Sequence, residues 1–139
     1  MTADWSRAQV GDVLPERVIG PLTAMDFARF SVSMEDPNRV HVEHAVAERA
    51  GLPSVIGSGG IVQGLMDDLV AAWAGAGQPR VVRNRILRPL FPDSTITATG
   101  KVTERTENDG RVTLVVAIDA VDQHGQALGD ATVTLEAAL

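Results

Sequence analysis

The sequence predicts an α+β fold in which helices come first and an antiparallel sheet follows. Apolar residues before position 75 recur at helical spacing. Four later segments are rich in Val, Ile and Thr, several alternate in period two, and good turn sequences separate them.

In chain order, Val10–Ile19 reads as a short edge strand that Gly20-Pro21 ends. Thr23 has the character of a helix N-cap, with Asp26 in the capping-box position three residues on. Met25, Phe27, Phe30 and Met34 then form one buried helical stripe, which Asp36-Pro37-Asn38 stops because the residue before proline is driven from helical angles. Val42–Ala50 reads as a second helix closed by Gly51. Gly57-Ser58-Gly59-Gly60 precedes a longer helix, Ile61–Ala74, whose face of Ile61, Leu65, Leu69 and Ala72 is apolar enough to be central. Val81–Leu90, Thr95–Glu104, Arg111–Val121 and Ala127–Glu136 are the predicted strands of a meander able to wrap that helix. Their turns are Phe91-Pro92-Asp93-Ser94, Asn108-Asp109-Gly110 and Gln123-His124-Gly125-Gln126.

The chain has 139 residues, 45% of them hydrophobic, and no linker or internal repeat, so residues 1–139 read as one domain. Met1–Arg7 has no basic region followed by an apolar run, and Ile61–Ala76 is interrupted by Gly64, Asp67 and Asp68; neither a signal peptide nor a membrane span is expected. With zero cysteines there is no disulfide, thiolate nucleophile or thiolate metal site, and the cytoplasm is the expected location. The net charge of −6 argues against a nucleic-acid partner. His41, Glu43 and His44 do not make the His-Glu-x-x-His pattern, so no metal is assigned.

Asp36 and His41 stand five positions apart in a turn-forming segment. An aspartate that accepts a proton from water and a histidine that holds or donates another make an acid/base pair. The plainer alternative is that Asp36 caps the turn and His41 opens the next helix. The glycine turn also has two readings. Backbone N–H groups at a helix start point outward with the positive end of the dipole, and glycine lets a substrate oxygen approach them. Such a turn polarises a thioester carbonyl. Alternatively, the glycines only let the helix pass close to a strand. A phosphate loop is excluded, because no Gly-Lys-Ser/Thr follows.

The run Glu35-Asp36-Pro37-Asn38-Arg39-Val40-His41, with Ala47 beyond it, resembles the signature of the MaoC-like, or type 2, enoyl-CoA hydratases of the hotdog fold. The stretch from Gly51 to Gly60 and the segment Leu87-Arg88-Pro89-Leu90-Phe91-Pro92-Asp93-Ser94 look like two further motifs of that family, so the similarity extends from Leu22 onward. The resemblance implies a single hotdog domain, an antiparallel sheet wrapped around the long helix. It implies that Asp36 and His41 are catalytic, sharing the water that adds to C3 of a trans-2-enoyl thioester to give a (3R)-hydroxyacyl thioester. Asp36 would take the part of the base and His41 that of the proton donor. Asn38 would brace the loop or touch substrate, and Ser58, Gly59 and Gly60 would form the oxyanion or substrate-binding turn. Coenzyme A or an acyl carrier protein would enter as part of the substrate, with no other cofactor.

This sequence departs from the family pattern at three places. Glu35 stands for a glycine, Arg39 for a proline, and Ser58 for a histidine. Arg83, Arg85 and Arg88 fall in one predicted strand and could meet coenzyme A phosphates, or form an ordinary solvated face. Trp73 reads as core or interface packing. A hotdog subunit implies a homodimer or a heterodimer. Val62-Gln63 and Trp73-Ala74-Gly75 are similar to small hydratase subunits that act on steroid side-chain CoA esters. Two further readings stay open: a hotdog thioesterase using Asp67 or Asp68 on the long helix, and a non-catalytic or partner-dependent subunit.

Overall fold

The computed structural model describes residues 4–139, so the first three residues of the stretch judged to lack a signal peptide lie outside it. Strand β1 (Val13–Leu22) leads into helix α1 (Ala24–Ser33), then α2 (His44–Arg49) and α3 (Gly59–Ala74). Strands β2 (Arg80–Ile86), β3 (Ser94–Asn108), β4 (Arg111–Val121) and β5 (Ala127–Ala138) follow. All five strands form one antiparallel sheet in the order β1-β3-β4-β5-β2. The predicted meander is therefore β3-β4-β5 alone. β2 crosses over to pair with β5, and β1 is the edge strand the sequence suggested.

Period-two alternation sets the sheet's inner face. Ile96, Ala98 and Val102 of β3, Val112, Leu114, Val116 and Ile118 of β4, and Val133 and Leu135 of β5 are all buried. Helix α3 lies across this face, with Val62, Met66, Leu69 and Val70 at most 1% exposed. The approach is closest at Gly100, where an added Cβ would sit 2.7 Å from Leu69 Cδ2. A larger residue there would require the Leu69 side chain to shift.

The structure corrects the sequence reading in four places. β1 does not stop at Gly20-Pro21; it shifts register between Ile19 and Leu22 and pairs again at Leu22–Ser94. The α1 stripe is shorter than predicted, with Phe27 fully buried while Met25 and Met34 are 60% and 63% exposed. Met25 lies two residues, about 200° of helix, from Phe27, and Met34 is the C-cap, already off the helical path. Ala72 is exposed because the buried face of α3 drifts from Ile61 and Leu65 toward Val70 and Ala74 as the sheet curves around it. Finally, the strand expected over Val81–Leu90 ends at Ile86, and Thr95–Glu104 extends to Asn108.

The Thr23 capping box forms as predicted. Thr23 Oγ1 accepts from the Asp26 N–H, and Asp26 Oδ2 accepts from the Thr23 N–H at 2.8 Å. Those bonds hold the Asp26 carboxyl below its ordinary value. Trp73 packs on Trp5, their ring centroids 6.5 Å apart, and closes the C-terminal end of α3. No helix among the described residues is long and apolar enough to cross a membrane.

Candidate active site

The loop that carries Asp36 begins where α1 ends. Asp36 N–H donates to the Ser31 carbonyl at 2.9 Å and Glu35 N–H to the Val32 carbonyl at 3.1 Å. These two bonds are the Schellman pattern of a helix C-terminus, and they place Glu35 in the left-handed position with φ 52°. Beyond it the turn organises itself. Asp36 Oδ1 accepts from the Asn38 N–H at 2.9 Å, and Asn38 Oδ1 accepts from the Val40 N–H at 3.2 Å. A 3-10 turn over Arg39–His41 then carries His41 inward, where it is 7% exposed. Asn38 itself is exposed, and its side chain braces the loop through that bond.

The orientation of His41 follows from its partners. Nδ1 lies 2.7 Å from the Ile56 carbonyl oxygen, which can only accept, so Nδ1 carries the hydrogen. Nε2 then points at Asp36 Oδ2, 3.3 Å away. With Nδ1 donating to Ile56, Nε2 and the Asp36 carboxylate oxygen both face one point as acceptors, close enough to accept from one water. A water held in that way is placed for activation.

His41 also lines a cleft of about 350 Å³ whose floor and walls include Gly57, Gly59, Val62, Ile86 and Leu90. The glycine turn forms part of it, and its members do different work. Gly57 N–H is bonded to the Leu90 carbonyl at 2.8 Å, and a Cβ there would meet Leu90 Cδ2 at 2.8 Å and Phe27 Cε1 at 2.9 Å. Gly60 N–H donates to Ser58 Oγ, and a Cβ there would sit 3.1 Å from Phe30 Cζ. Gly57 and Gly60 thus make room for α1, and the close pass to a strand is met at Gly59, where a Cβ would sit 3.0 Å from Ile86 Cγ1 of β2. Gly59 is the first residue of α3; its N–H has no protein acceptor among the described residues and it borders the cleft. Ser58 is the N-cap of α3, and neither it nor Gly60 lines the cleft.

Of the three arginines only Arg88 reaches this cleft, its guanidinium bonded to the Gln126 side chain. Arg85 is tied to Asp130 by two bonds, at 2.5 and 3.0 Å, which raise its pKa and lower that of Asp130. Arg83 is exposed on β2 and has no carboxylate partner among the described residues. On the long helix, Asp67 is bonded to Arg80 at 2.7 and 2.6 Å and Asp68 to Arg17 at 2.6 Å.

Two features escaped the sequence reading. Ile56 anchors His41 through a backbone carbonyl, which no residue type advertises. The segment Ile86–Leu90 forms the outer wall because β2 breaks there: Leu87 N–H makes a last bond to Leu128, and Leu90 bridges Gly57. Pro89, which lacks an N–H, was the available signal.

Comparison with solved structures places this architecture among close relatives in shape. The chain is 26% identical to a chain of the ChsH1-ChsH2 complex from Mycobacterium tuberculosis, covering 91% of this chain and 96% of that one with a TM-score of 0.77. It is 22% identical to the (R)-hydratase from A. caviae involved in PHA biosynthesis, over 93% and 97% of the two chains, TM-score 0.76. It is 20% identical to R-hydratase PhaJ1 from Pseudomonas aeruginosa, over 97% and 90%, TM-score 0.75. No curated protein sequence gives a significant match. The MaoC like domain model matches residues 7–123, and the chain belongs to the MaoC-like dehydratase family of the hotdog fold.

Proposed function

We propose that this chain adds water reversibly to a trans-2-enoyl thioester, giving a (3R)-hydroxyacyl thioester. The observation that carries the reading is the placement of His41. Its Nδ1–H is anchored on Ile56, its Nε2 faces Asp36, and its ring borders the cleft where the Gly59 N–H is free. In this scheme the thioester carbonyl accepts from Gly59 at the start of α3, where the helix dipole stabilises the enolate-like charge. Water held between Asp36 Oδ2 and His41 Nε2 gives its proton to Asp36 while its oxygen bonds to C3. Asp36 passes that proton to His41 Nε2, which delivers it to C2, so one water is added and both groups return to their starting state.

The carrier is coenzyme A or an acyl carrier protein, with Arg88 at the cleft and Arg83 nearby on β2 as candidate phosphate contacts. A thioesterase would need Asp67 or Asp68 free to activate water, and both are neutralised by arginines. The outer edge of β2 is unpaired among the described strands, and one structural relative is a two-chain complex, so a homodimer or hotdog heterodimer is part of the proposal. The test is incubation with crotonyl-CoA, following loss of enoyl absorbance and release of free thiol in parallel. Hydration without thiol release is expected. Thiol release alone would favour the thioesterase, and neither activity would favour a partner-dependent subunit.

A further inference from the structure

Ile86 fills the space beside Gly59. Period two turns Asn84 and Ile86 of β2 toward α3, where Gln63 and Gly59, one helical turn apart, receive them. Asn84 Oδ1 accepts from Gln63 Nε2 at 2.7 Å, and that bond fixes the strand against the helix. At Gly59 the three heavy atoms nearest the place of a Cβ all belong to Ile86: Cγ1 at 3.0 Å, Cδ1 at 3.7 Å and Cβ at 3.9 Å. Both residues line the same cleft. Ile86 is the last residue of β2 and is 40% exposed, so its side chain is a wall of that cleft and not part of the core. Being β-branched, it is stiff at χ1 and does not readily fold away.

We propose, resting on the hydratase reading, that Ile86 is a specificity-determining residue which admits enoyl thioesters unsubstituted at C2 and rejects those branched at that carbon. A carbonyl oxygen that accepts from the Gly59 N–H brings the carbonyl carbon beside Ile86, and with it the two atoms bonded to that carbon. One is the thioester sulfur, which is the same in every substrate. The other is C2, so a branch on C2 is the variable group nearest this side chain. A rigid apolar wall discriminates a single methyl by about 10–200-fold.

The test is titration calorimetry with butyryl-CoA and isobutyryl-CoA on the wild type, Ile86→Val and Ile86→Ala. The probes are isomers, neither is hydrated, and only isobutyryl-CoA is branched at C2. The wild type is expected to bind butyryl-CoA at least about tenfold more tightly. Ile86→Ala should bring the two within about threefold by tightening isobutyryl-CoA, with Ile86→Val between the wild type and Ile86→Ala. Ile86→Val keeps the branched side chain at a strand end, so it tests the wall even where Ile86→Ala disturbs β2. Equal wild-type affinity for the isomers, a preference unchanged in the folded variants, parallel loss of both, or no binding of either overturns the proposal. If such a wild type still hydrates crotonyl-CoA, the assigned reaction stands without this role for Ile86. The expected binding pattern with no hydration would sink the reaction and keep Ile86 at the thioester subsite.

Discussion

Asp36 on the α1–α2 loop and the Asp67–Asp68 pair on α3 are carboxylates of the same type in opposite circumstances. Asp36 faces a buried imidazole whose other nitrogen is fixed by a backbone carbonyl. Asp67 and Asp68 face guanidinium groups that satisfy their oxygens. The bonds from Asp67 raise the pKa of Arg80, so that pair remains charged and closed. A carboxylate meant to move a proton needs a partner that can exchange one, and arginine cannot. On the proposed reading the fold gives chemistry to the loop, while on the helix the two carboxylates cross-link it to β1 and β2.

The most direct way to break this contrast is to change the loop pair. Asp36→Asn or His41→Ala should lower kcat for enoyl-CoA hydration by about 10²–10⁴-fold, with thermal unfolding little changed for Asp36→Asn. Full hydration by Asp36→Asn would sink the proposed mechanism. The complementary change, Asp67→Asn, should leave hydration within about threefold and cost about 1–2 kcal/mol of stability, because Arg80 is only 14% exposed and loses a charged partner. Loss of activity in a folded Asp67→Asn protein would move the chemistry onto the helix.

A smaller effect separates the members of the glycine turn. Ser58 Oγ serves the Gly60 N–H, so Ser58→Ala should cost about 1 kcal/mol as a lost cap, lowering Tm by about 3 °C. Activity should stay within about threefold, since the Gly59 N–H is untouched. A large rise in KM would show Ser58 binding substrate.

These expectations also mark what the sequence could say. Thr23 with Asp26 and the alternation in β3, β4 and β5 were legible because local chemistry and period decide them, and tertiary contacts agree. The outward turn of Ala72 was not, since the buried face of α3 drifts along the helix, whereas Met25, about 200° from Phe27, was readable from helical phase alone. The Ile56 carbonyl was invisible for a simpler reason: every residue has one. Asp36 and His41 were legible as a spacing, while the 3.3 Å approach of their side chains needed three dimensions.

Glu35 is the subtlest part of the comparison. It puts a carboxylate beside Asp36 where the family pattern has glycine. Its backbone gives a different account: at φ 52° it occupies the C-terminal Schellman position of α1, where a residue with a Cβ is strained and glycine is not. The side chain is exposed, so little packing offsets that strain. Glu35→Gly should therefore stabilise the fold by about 1 kcal/mol, read as a rise in the urea midpoint at unchanged slope. If Glu35 acted through its charge on Asp36, the pH profile of hydration would shift in Glu35→Gly and Glu35→Gln alike. A stability gain in Glu35→Gly alone, with both pH profiles unmoved, assigns Glu35 to the backbone turn and leaves the proton chemistry to Asp36 and His41.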